Sequence, residues 1–362
     1  MDNDDQKTYR GTMHRSTEDL LKWHELGTKE EALEPALPIV DPHHHLFGDV
    51  PDSQYYRLGD LERDLAGGHH VTKTVYVEAY GSGWRKTGPE HLRPVGETEA
   101  IVAKAATPLK TRHGDCELAA GIVAHADLTM GPALVEVLDA HLEVAQGRLR
   151  GVRHMAARDE GLVGRFIKEM PRKHLLQEAS FRAGLSQLKN YGLSFDVWVY
   201  HHQLEELIAV VDSCPDTPVV LDHLGGLIGV GEYRSERPAV LARWKADLRK
   251  LAERPNVYVK LGGMGMPVCG FGFEHQPAPA TSAQLVQAWQ PLIDTCVETF
   301  GTQRCMFESN FPVDKQSCSY TALWNAYKLA TLALSPDERK DLFSRTACKV
   351  YRLSEPNHQP FR

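Results

Sequence analysis

Short apolar runs alternate with longer amphipathic stretches along most of the chain. The runs are rich in β-branched residues, as is typical of strands buried on both faces, and the stretches between them have helical spacing, the first long one over Glu97–Arg112. The apolar runs number eight, and they are Leu37–Val40, Val71–Val77, Leu118–Val123, Leu149–Val152, Leu193–Val199, Pro218–Leu221, Val257–Leu261 and Cys305–Phe307. Such alternation predicts a parallel sheet covered by helices, and eight strands close a barrel. We therefore predict an α/β fold with a single TIM-type (β/α)8 barrel.

The sequence contains no feature that divides this barrel. We find no internal repeat, no low-complexity segment and no long flexible linker. Residues 1–34 differ from the rest because they are polar and charged and carry no strand-like run. The predicted organisation is an N-terminal polar extension over residues 1–34 and one barrel domain over residues 35–362.

Composition and charge narrow the class of partner. The chain has 41 Lys and Arg against 48 Asp and Glu, a net charge of −7 spread over its length, which argues against nucleic acid and anionic membrane surfaces. No apolar run approaches the roughly 20 residues of a membrane span, and the N-terminus lacks a signal-peptide core. The seven cysteines form no CxxC pair, which favours free thiols in a reducing compartment. We expect a cytoplasmic protein with a small-molecule substrate, and assembly into a homo-oligomer stays open.

Polar side chains follow the predicted strands at their carboxyl ends. In a (β/α)8 barrel these ends meet at one rim, where the active site lies. Seven of the eighteen histidines follow the first, fourth, fifth or sixth run. The alternative, a set of surface histidines, suits their position directly after buried runs less well.

The first strand end carries the pattern Asp-Pro-His-His-His. In an extended strand, alternate side chains share a face, so His43 and His45 point the same way and His44 points away. Two imidazoles at this spacing suit one divalent metal ion, and packing histidines are the alternative.

Five segments together resemble the amidohydrolase superfamily, and more closely its amidohydrolase-related branch. They are IVDPHHHL (Ile39–Leu46), GVRH (Gly151–His154), FDVWVYHHQL (Phe195–Leu204), VVLDHLGG (Val219–Gly226) and MFESNFPVD (Met306–Asp314). They are similar to sugar-acid lactonases and pyrone-dicarboxylate lactonases, with decarboxylases of aromatic or muconate-type acids as more distant relatives. The resemblance implies His43, His45 and His201 as ligands of a divalent ion, zinc or manganese. It implies His223 as the group that moves protons or orients substrate, and His202 is the alternative to His201.

The eighth strand end departs from the family pattern. Asn310 stands where the family usually has an aspartate before an aromatic-proline pair. An amide is a weak ligand and accepts no proton near neutral pH, so this change puts both the metal and the usual base in doubt. Glu308 lies two residues earlier on the same face and is our first candidate for a replacement base. A structural partner for a neighbouring arginine is the alternative for Glu308.

Substrate-binding residues are predicted at the same rim. Arg153 offers a planar fork that matches a carboxylate, and a surface arginine is the alternative. Glu78 and Tyr200 follow the second and fifth runs, and Trp84 lies in a long loop that suits a lid.

The leading functional hypothesis is a lactonase that opens a cyclic ester by water attack in the barrel mouth. It rests on the lactonase-like motif set, and His223, Glu308 and Asn310 are its catalytic candidates. Two alternatives remain. One is a non-oxidative decarboxylase of an aromatic or unsaturated carboxylic acid, and the other is a barrel that binds a ligand without converting it.

Overall fold

The computed structural model describes residues 9–48, 54–79 and 81–356, and its centre is a parallel barrel. The strands are β1 (Pro38–His44), β2 (His70–Val77), β3 (Leu109–Thr111), β4 (Gly114–His125), β5 (Leu149–Arg153), β6 (Ser194–Val197), β7 (Val219–Leu221), β8 (Val257–Leu261) and β9 (Cys305–Phe307). All except β3 pair in parallel in the order β1-β2-β4-β5-β6-β7-β8-β9. Each of the eight predicted runs contributes one of these strands, so the predicted barrel is confirmed.

Contacts between the ends of β1 and β9 nearly close the barrel. The His45 amide donates to the Phe311 carbonyl at 2.8 Å, and the Asn310 amide donates to the His43 carbonyl at 2.9 Å. The Asp41 carboxylate adds a link, because it accepts a hydrogen bond from the Ser309 amide at 2.9 Å. The first and last strand ends are thereby held side by side at the rim.

The predicted helix over Glu97–Arg112 is wrong at its C-terminal end. The helix ends at Lys104, and Leu109–Thr111 form β3, which pairs antiparallel with the start of β4. Pro108 explains the difference, because proline has no amide hydrogen to donate and disfavours helical backbone in the residue before it.

Helices cover the outside of the barrel. They are α1 (Thr17–Glu25), α2 (Leu58–Leu65), α3 (Val95–Lys104), α4 (Leu134–Val144), α5 (Ala179–Leu185), α6 (Leu204–Asp212), α7 (Arg237–Ala252), α8 (Ser282–Phe300), α9 (Tyr320–Ala330), α10 (Pro336–Lys340) and α11 (Thr346–Tyr351). A π-helical segment, Asp341–Arg345, joins the last two. The residue range His223–Gly226 is a single turn in which Leu224 and Gly225 have positive φ. Within the described ranges, no helix has the length and apolar character needed to cross a membrane.

The described part of the polar extension packs against the barrel. The Trp23 indole donates to the Gln276 carbonyl at 2.9 Å. Near the end of the extension, the Lys328 ammonium donates to the carbonyls of Leu33 and Glu34 at 2.7 and 2.9 Å. Residues 1–8 lie outside the described ranges, and the boundary at residue 34 stays a prediction.

Candidate active site

Ionisable side chains from six strand ends fill the mouth of the barrel. His43, Arg153, Asp222, Glu308 and Lys260 are all at least nine-tenths buried. They follow or end β1, β5, β7, β9 and β8, and Glu78 follows β2. Because the barrel brings these ends together, residues up to 265 positions apart in sequence lie in contact here.

Glu308 lies between two histidines. Its Oε1 is 2.7 Å from His223 Nδ1, and its Oε2 is 2.8 Å from His43 Nδ1. Burial alone raises the pKa of this carboxyl, but His223 and His43 outweigh burial and lower it to about 2. Glu308 is therefore an anion at any physiological pH.

The pKa values of the two histidines shift in opposite directions. Burial lowers the pKa of His223, but the carboxylates of Glu308 and Asp222 outweigh it, so the pKa lies above the ordinary 6.5. Burial and the neighbouring Lys260 ammonium hold the pKa of His43 well below 6.5. Hence His223 binds a proton more readily than an ordinary histidine, whereas His43 stays neutral.

Lys260 is a buried cation that the sequence prediction missed. Its Nζ lies 2.8 Å from Asp196 Oδ2, 3.0 Å from Asp222 Oδ1 and 3.1 Å from His43 Nδ1. Burial disfavours its charge, but Asp196 and Asp222 raise its pKa above the ordinary value. A lysine within the apolar run VYVKL was the available signal, because a lysine in a buried strand needs paired carboxylates.

Arg153 is fixed in orientation by one neighbour. Its Nε donates to Glu78 Oε1 and its Nη2 to the Glu78 carbonyl, both at 2.6 Å. Its remaining Nη1 lies 3.4 Å from His43 Nε2 and 3.5 Å from Asp222 Oδ2. Glu78, predicted to bind substrate, is buried beneath the guanidinium and positions it.

The first-strand histidines converge as predicted from their spacing. The Nε2 atoms of His43 and His45 are 3.2 Å apart, and His45 Nδ1 is 2.8 Å from the Val77 carbonyl. His44 points away, to Thr74. A second grouping, His43, Asp222 and His223, brings three donor atoms within 4.8 Å of one another.

A cavity of about 230 Å³ opens above these groups. His45, Arg153, His223 and Asn310 line it from the strand ends, and Tyr200 lines it from the loop after β6. The Asn310 side chain donates from Nδ2 to Asp314 Oδ1 at 2.8 Å. The cavity thus has His223 and the cationic Arg153 on the same floor.

Two other predicted residues lie elsewhere. His201 lies beyond the end of β6 in a short helical turn, His201–Gln203, where its ring contacts His202 and Tyr233. The described contacts do not bring it to His43 or His45, so its role as a ligand stays a prediction. Trp84 donates to Glu97 at 3.1 Å and lines a neighbouring cleft with His125 and His154.

Comparisons with known proteins place this site in a family. The amidohydrolase family model matches residues 40–353. The uncharacterized protein y4mH of Sinorhizobium fredii is 29% identical over 329 residues, which cover 88% of this chain and 99% of that one. An L-fucono-1,5-lactonase of Burkholderia multivorans is 30% identical over 282 residues, which cover 74% of this chain and 86% of that one.

A solved structure matches as well. The crystal structure of an amidohydrolase from Burkholderia multivorans with bound zinc has 25% sequence identity and a TM-score of 0.65, and the match covers 87% of this chain and 99% of that chain. The resemblance predicted from the motifs is thereby confirmed. On the family match and these relatives, the chain belongs to the amidohydrolase family.

Proposed function

We propose that this protein is a lactonase, a hydrolase that opens a cyclic ester by adding water to its carbonyl. The observation that carries the proposal is His223 at the floor of a cavity that Arg153 also lines, with Glu308 buried behind the ring at 2.7 Å. The relative named as an L-fucono-1,5-lactonase supports the same reaction class. A cavity of about 230 Å³ is suited to one small ring.

His223 acts as the general base in this proposal. Its Nδ1 is committed to Glu308, so Nε2 is the nitrogen left for a water molecule. Nε2 removes a proton as the water oxygen bonds to the lactone carbonyl carbon. The imidazolium that forms is stabilised by the Glu308 anion, as an orienting carboxylate stabilises a catalytic histidine in other hydrolases.

Arg153 stabilises the charge that develops on the carbonyl oxygen. The guanidinium is already held by Glu78, so it costs little reorganisation when the tetrahedral intermediate forms. The intermediate then collapses and the bond to the ring oxygen breaks. His223 returns its proton to that oxygen, which leaves a hydroxy acid and restores the neutral base.

Cations compete with a divalent ion for the donor atoms of this site, although His43, Asp222 and His223 bring three such atoms within 4.8 Å and the carboxylates of Asp222 and Glu308 lie beside His43. Both ring nitrogens of His43 already face a cation, Lys260 at 3.1 Å and Arg153 at 3.4 Å. At an effective dielectric of about 20, two unit charges about 4 Å apart repel by about 4 kcal/mol, and a dication doubles this. Asn310 adds no compensating negative charge. We propose turnover without a divalent ion, in which Lys260 and Arg153 supply the positive charge of the site.

Metal content tests this part of the proposal. Zinc or manganese at His43 and His45, as predicted from the family resemblance, is the competing expectation. Elemental analysis of protein purified without chelator or a metal-binding tag is expected to find well below one such ion per chain, with activity unchanged by chelator. Stoichiometric metal whose removal abolishes turnover would contradict the proposal.

Product analysis tests the reaction class. We expect incubation with aldono-1,5-lactones and simple δ-lactones to release one proton per ring opened, measured by pH-stat, with no carbon dioxide. Carbon dioxide release from aromatic acids without lactone opening would favour the decarboxylase. Binding of lactones without any product would favour the non-catalytic barrel.

A further inference from the structure

The cavity has two halves of different character. Strand ends supply its polar floor, namely His45, Arg153, His223 and Asn310. Loops and the N-terminal extension supply the remainder, in which most side chains are apolar: Met13, Met155, Ala157, Val163, Phe166, Ile167, Trp198, Met266 and Val313. The charged Lys168 and the hydroxyl-bearing Tyr9, Thr12 and Tyr200 complete this lining. A ligand whose reacting ring lies on the floor therefore extends toward apolar side chains.

The N-terminal extension builds one wall of the apolar half. Tyr9, Thr12 and Met13 line the cavity, although residues 9–13 precede the segment that matches the family model, residues 40–353. Tyr9 is 5% exposed and its ring packs edge-on against Phe166, with the centroids 5.0 Å apart. The hydroxyls of Tyr9 and Thr12 lie 3.2 Å apart and share one hydrogen bond.

The extension is anchored, so this wall is a fixed part of the site. The Arg15 amide donates to Gln316 at 3.3 Å, and its guanidinium stacks over Trp23, with 4.2 Å to the ring centroid. Trp23 in turn donates to the Gln276 carbonyl. Tyr9 itself belongs to a buried apolar cluster with Tyr200, Ile228 and Met266.

Phe166 forms the outer edge of the apolar half. Its side chain lies on the cavity and against Tyr9, yet 46% of the residue is exposed. A large aromatic side chain at this position gives a ligand an apolar surface near solvent. The apolar half thus runs from the floor to the opening.

This lining discriminates between two kinds of lactone. A polyhydroxylated lactone places hydroxyls against methionine, valine and phenylalanine side chains, and each unpaired hydroxyl weakens binding by about 5- to 150-fold. Each methylene buried there instead strengthens binding by about fourfold.

We propose that the substrate is a lactone that carries an apolar alkyl or aryl substituent, which packs against the N-terminal extension and Phe166. This inference rests on the proposed lactonase function and specifies its substrate class. It distinguishes this chain from a relative that acts on L-fucono-1,5-lactone, a hydroxylated ring.

A graded series of δ-lactones tests the proposal with the full-length chain. We expect kcat/KM, measured by pH-stat, to rise from δ-valerolactone through δ-hexalactone to δ-nonalactone, by about fourfold per methylene and more than 50-fold in total. D-glucono-1,5-lactone is expected to be poorer than δ-nonalactone by at least tenfold. A flat series, or a preference for the glucono lactone, would overturn the proposal.

Two variants locate the selectivity. Phe166→Ser, at a half-exposed position, is expected to reduce kcat/KM for δ-nonalactone about tenfold more than kcat/KM for δ-valerolactone. Met13→Ser on the extension is expected to act in the same direction. The matched control is Leu332→Ser, since Leu332 is 65% exposed and does not line the cavity. Equal losses for both lactones in Phe166→Ser would refute the assignment.

Product binding separates failure of this inference from failure of the proposed function. Calorimetry measures the affinities of 5-hydroxynonanoate and D-gluconate without any turnover. If no lactone is opened, the lactonase proposal fails, while tighter binding of 5-hydroxynonanoate by at least tenfold still supports an apolar-substituent site. Equal or reversed affinities overturn the inference whether or not lactones are opened.

Discussion

At the scale of single residues, the buried Glu308 controls the electrostatics of the site. Its two oxygens contact His223 and His43, and its charge raises the pKa of one ring while burial and Lys260 keep the other neutral. Its Oε1 is hydrogen-bonded to the His223 ring, while its Oε2 lies 2.8 Å from His43 Nδ1, a nitrogen that also faces the Lys260 ammonium. The function of His223 therefore depends on a neighbour that does not reach the cavity lining.

Glu308→Gln tests this dependence. We expect kcat to fall by about 10²–10⁴-fold with a small change in KM, because the amide keeps the shape but no longer stabilises the imidazolium. The base must be neutral to act, so activity rises with pH through the pKa of His223, which lies above 6.5. In the variant this acidic limb should move to lower pH. Steady-state kinetics from pH 5 to 9 measure both effects.

The control for this variant is Glu298→Gln, at an exposed position on α8. It is expected to leave kcat and the pH profile unchanged. A Glu308→Gln enzyme with the parent's kcat would exclude the carboxylate from the proposed mechanism.

The lowered pKa of the buried His44 leads to a separate prediction, about the pH dependence of stability. Burial and the neighbouring His45 lower its pKa to about 3, whereas an unfolded histidine titrates near 6.5. Between these values the unfolded chain binds more protons than the fold, so stability decreases as pH falls below 6.5. One such histidine contributes a loss of roughly 1.5 kcal/mol between pH 6.5 and about pH 5.

We therefore expect His44→Gln to lose less stability on acidification than the parent, as measured by urea unfolding at the two pH values. His113→Gln, at an exposed position, is the control and should retain the parent's pH dependence. An unchanged slope in His44→Gln would contradict the assignment.

At the scale of elements, the loop after β8 makes room for the proposed catalytic pair, Glu308 and His223. A Cβ on Gly262 would lie 2.2 Å from Glu308 Cγ, and a Cβ on Gly263 would lie 2.5 Å from His223 Cγ. Gly263 also has φ of +67°, which residues with side chains rarely adopt. The absence of side chains at these two positions thus lets the loop backbone approach Glu308 and His223 closely.

Gly263→Ala tests the packing of this element. We expect the added methyl to displace the His223 ring, with kcat reduced at least tenfold and stability lowered by about 1–3 kcal/mol. Gly272→Ala is the matched control, because it has φ of +74° but no atom within 4 Å of the added Cβ. If both variants lose the same activity, backbone strain rather than contact with His223 is responsible.

At the scale of the whole molecule, Lys260 ties together strands that are distant in sequence. Its ammonium joins Asp196 of β6, Asp222 after β7 and His43 of β1, and Tyr351 of α11 donates to the same Asp196 carboxylate. All of these side chains are buried. The centre of the barrel is thus a charge network, and its balance depends on one lysine.

Lys260→Met tests the network. Removing one partner of a buried ionic group leaves charges without compensation and costs about 3–5 kcal/mol, so we expect a loss of that size in unfolding free energy. Urea unfolding measures it. Lys22→Met is the control, since Lys22 is 73% exposed and its contact with Asp19 is worth at most about 1 kcal/mol. A second change, Asp196→Asn, is expected to recover part of the loss.

The sequence by itself determined the barrel and the rim. Eight β-branched runs with helices between them have few other ways to bury their apolar faces, and alternation along an extended strand was enough to place His43 and His45 together. Pro108 was a local indication that the first long helix ends before it, but the helical spacing of the apolar residues extended the predicted helix past this proline. Glu308 was predicted from its position and chemistry and His223 from the family resemblance, but the contact between them was not predicted.

Only the tertiary structure decided which side chains meet across the barrel. Arg153 and Glu78 are 75 positions apart, and His43 and Lys260 are 217 apart, so their contacts depend on strand stagger and closure. The wall built by Tyr9 and Met13 depends on where the extension crosses the mouth. Contacts of this kind arise when distant segments bury one common surface, and local periodicity carries no information about them.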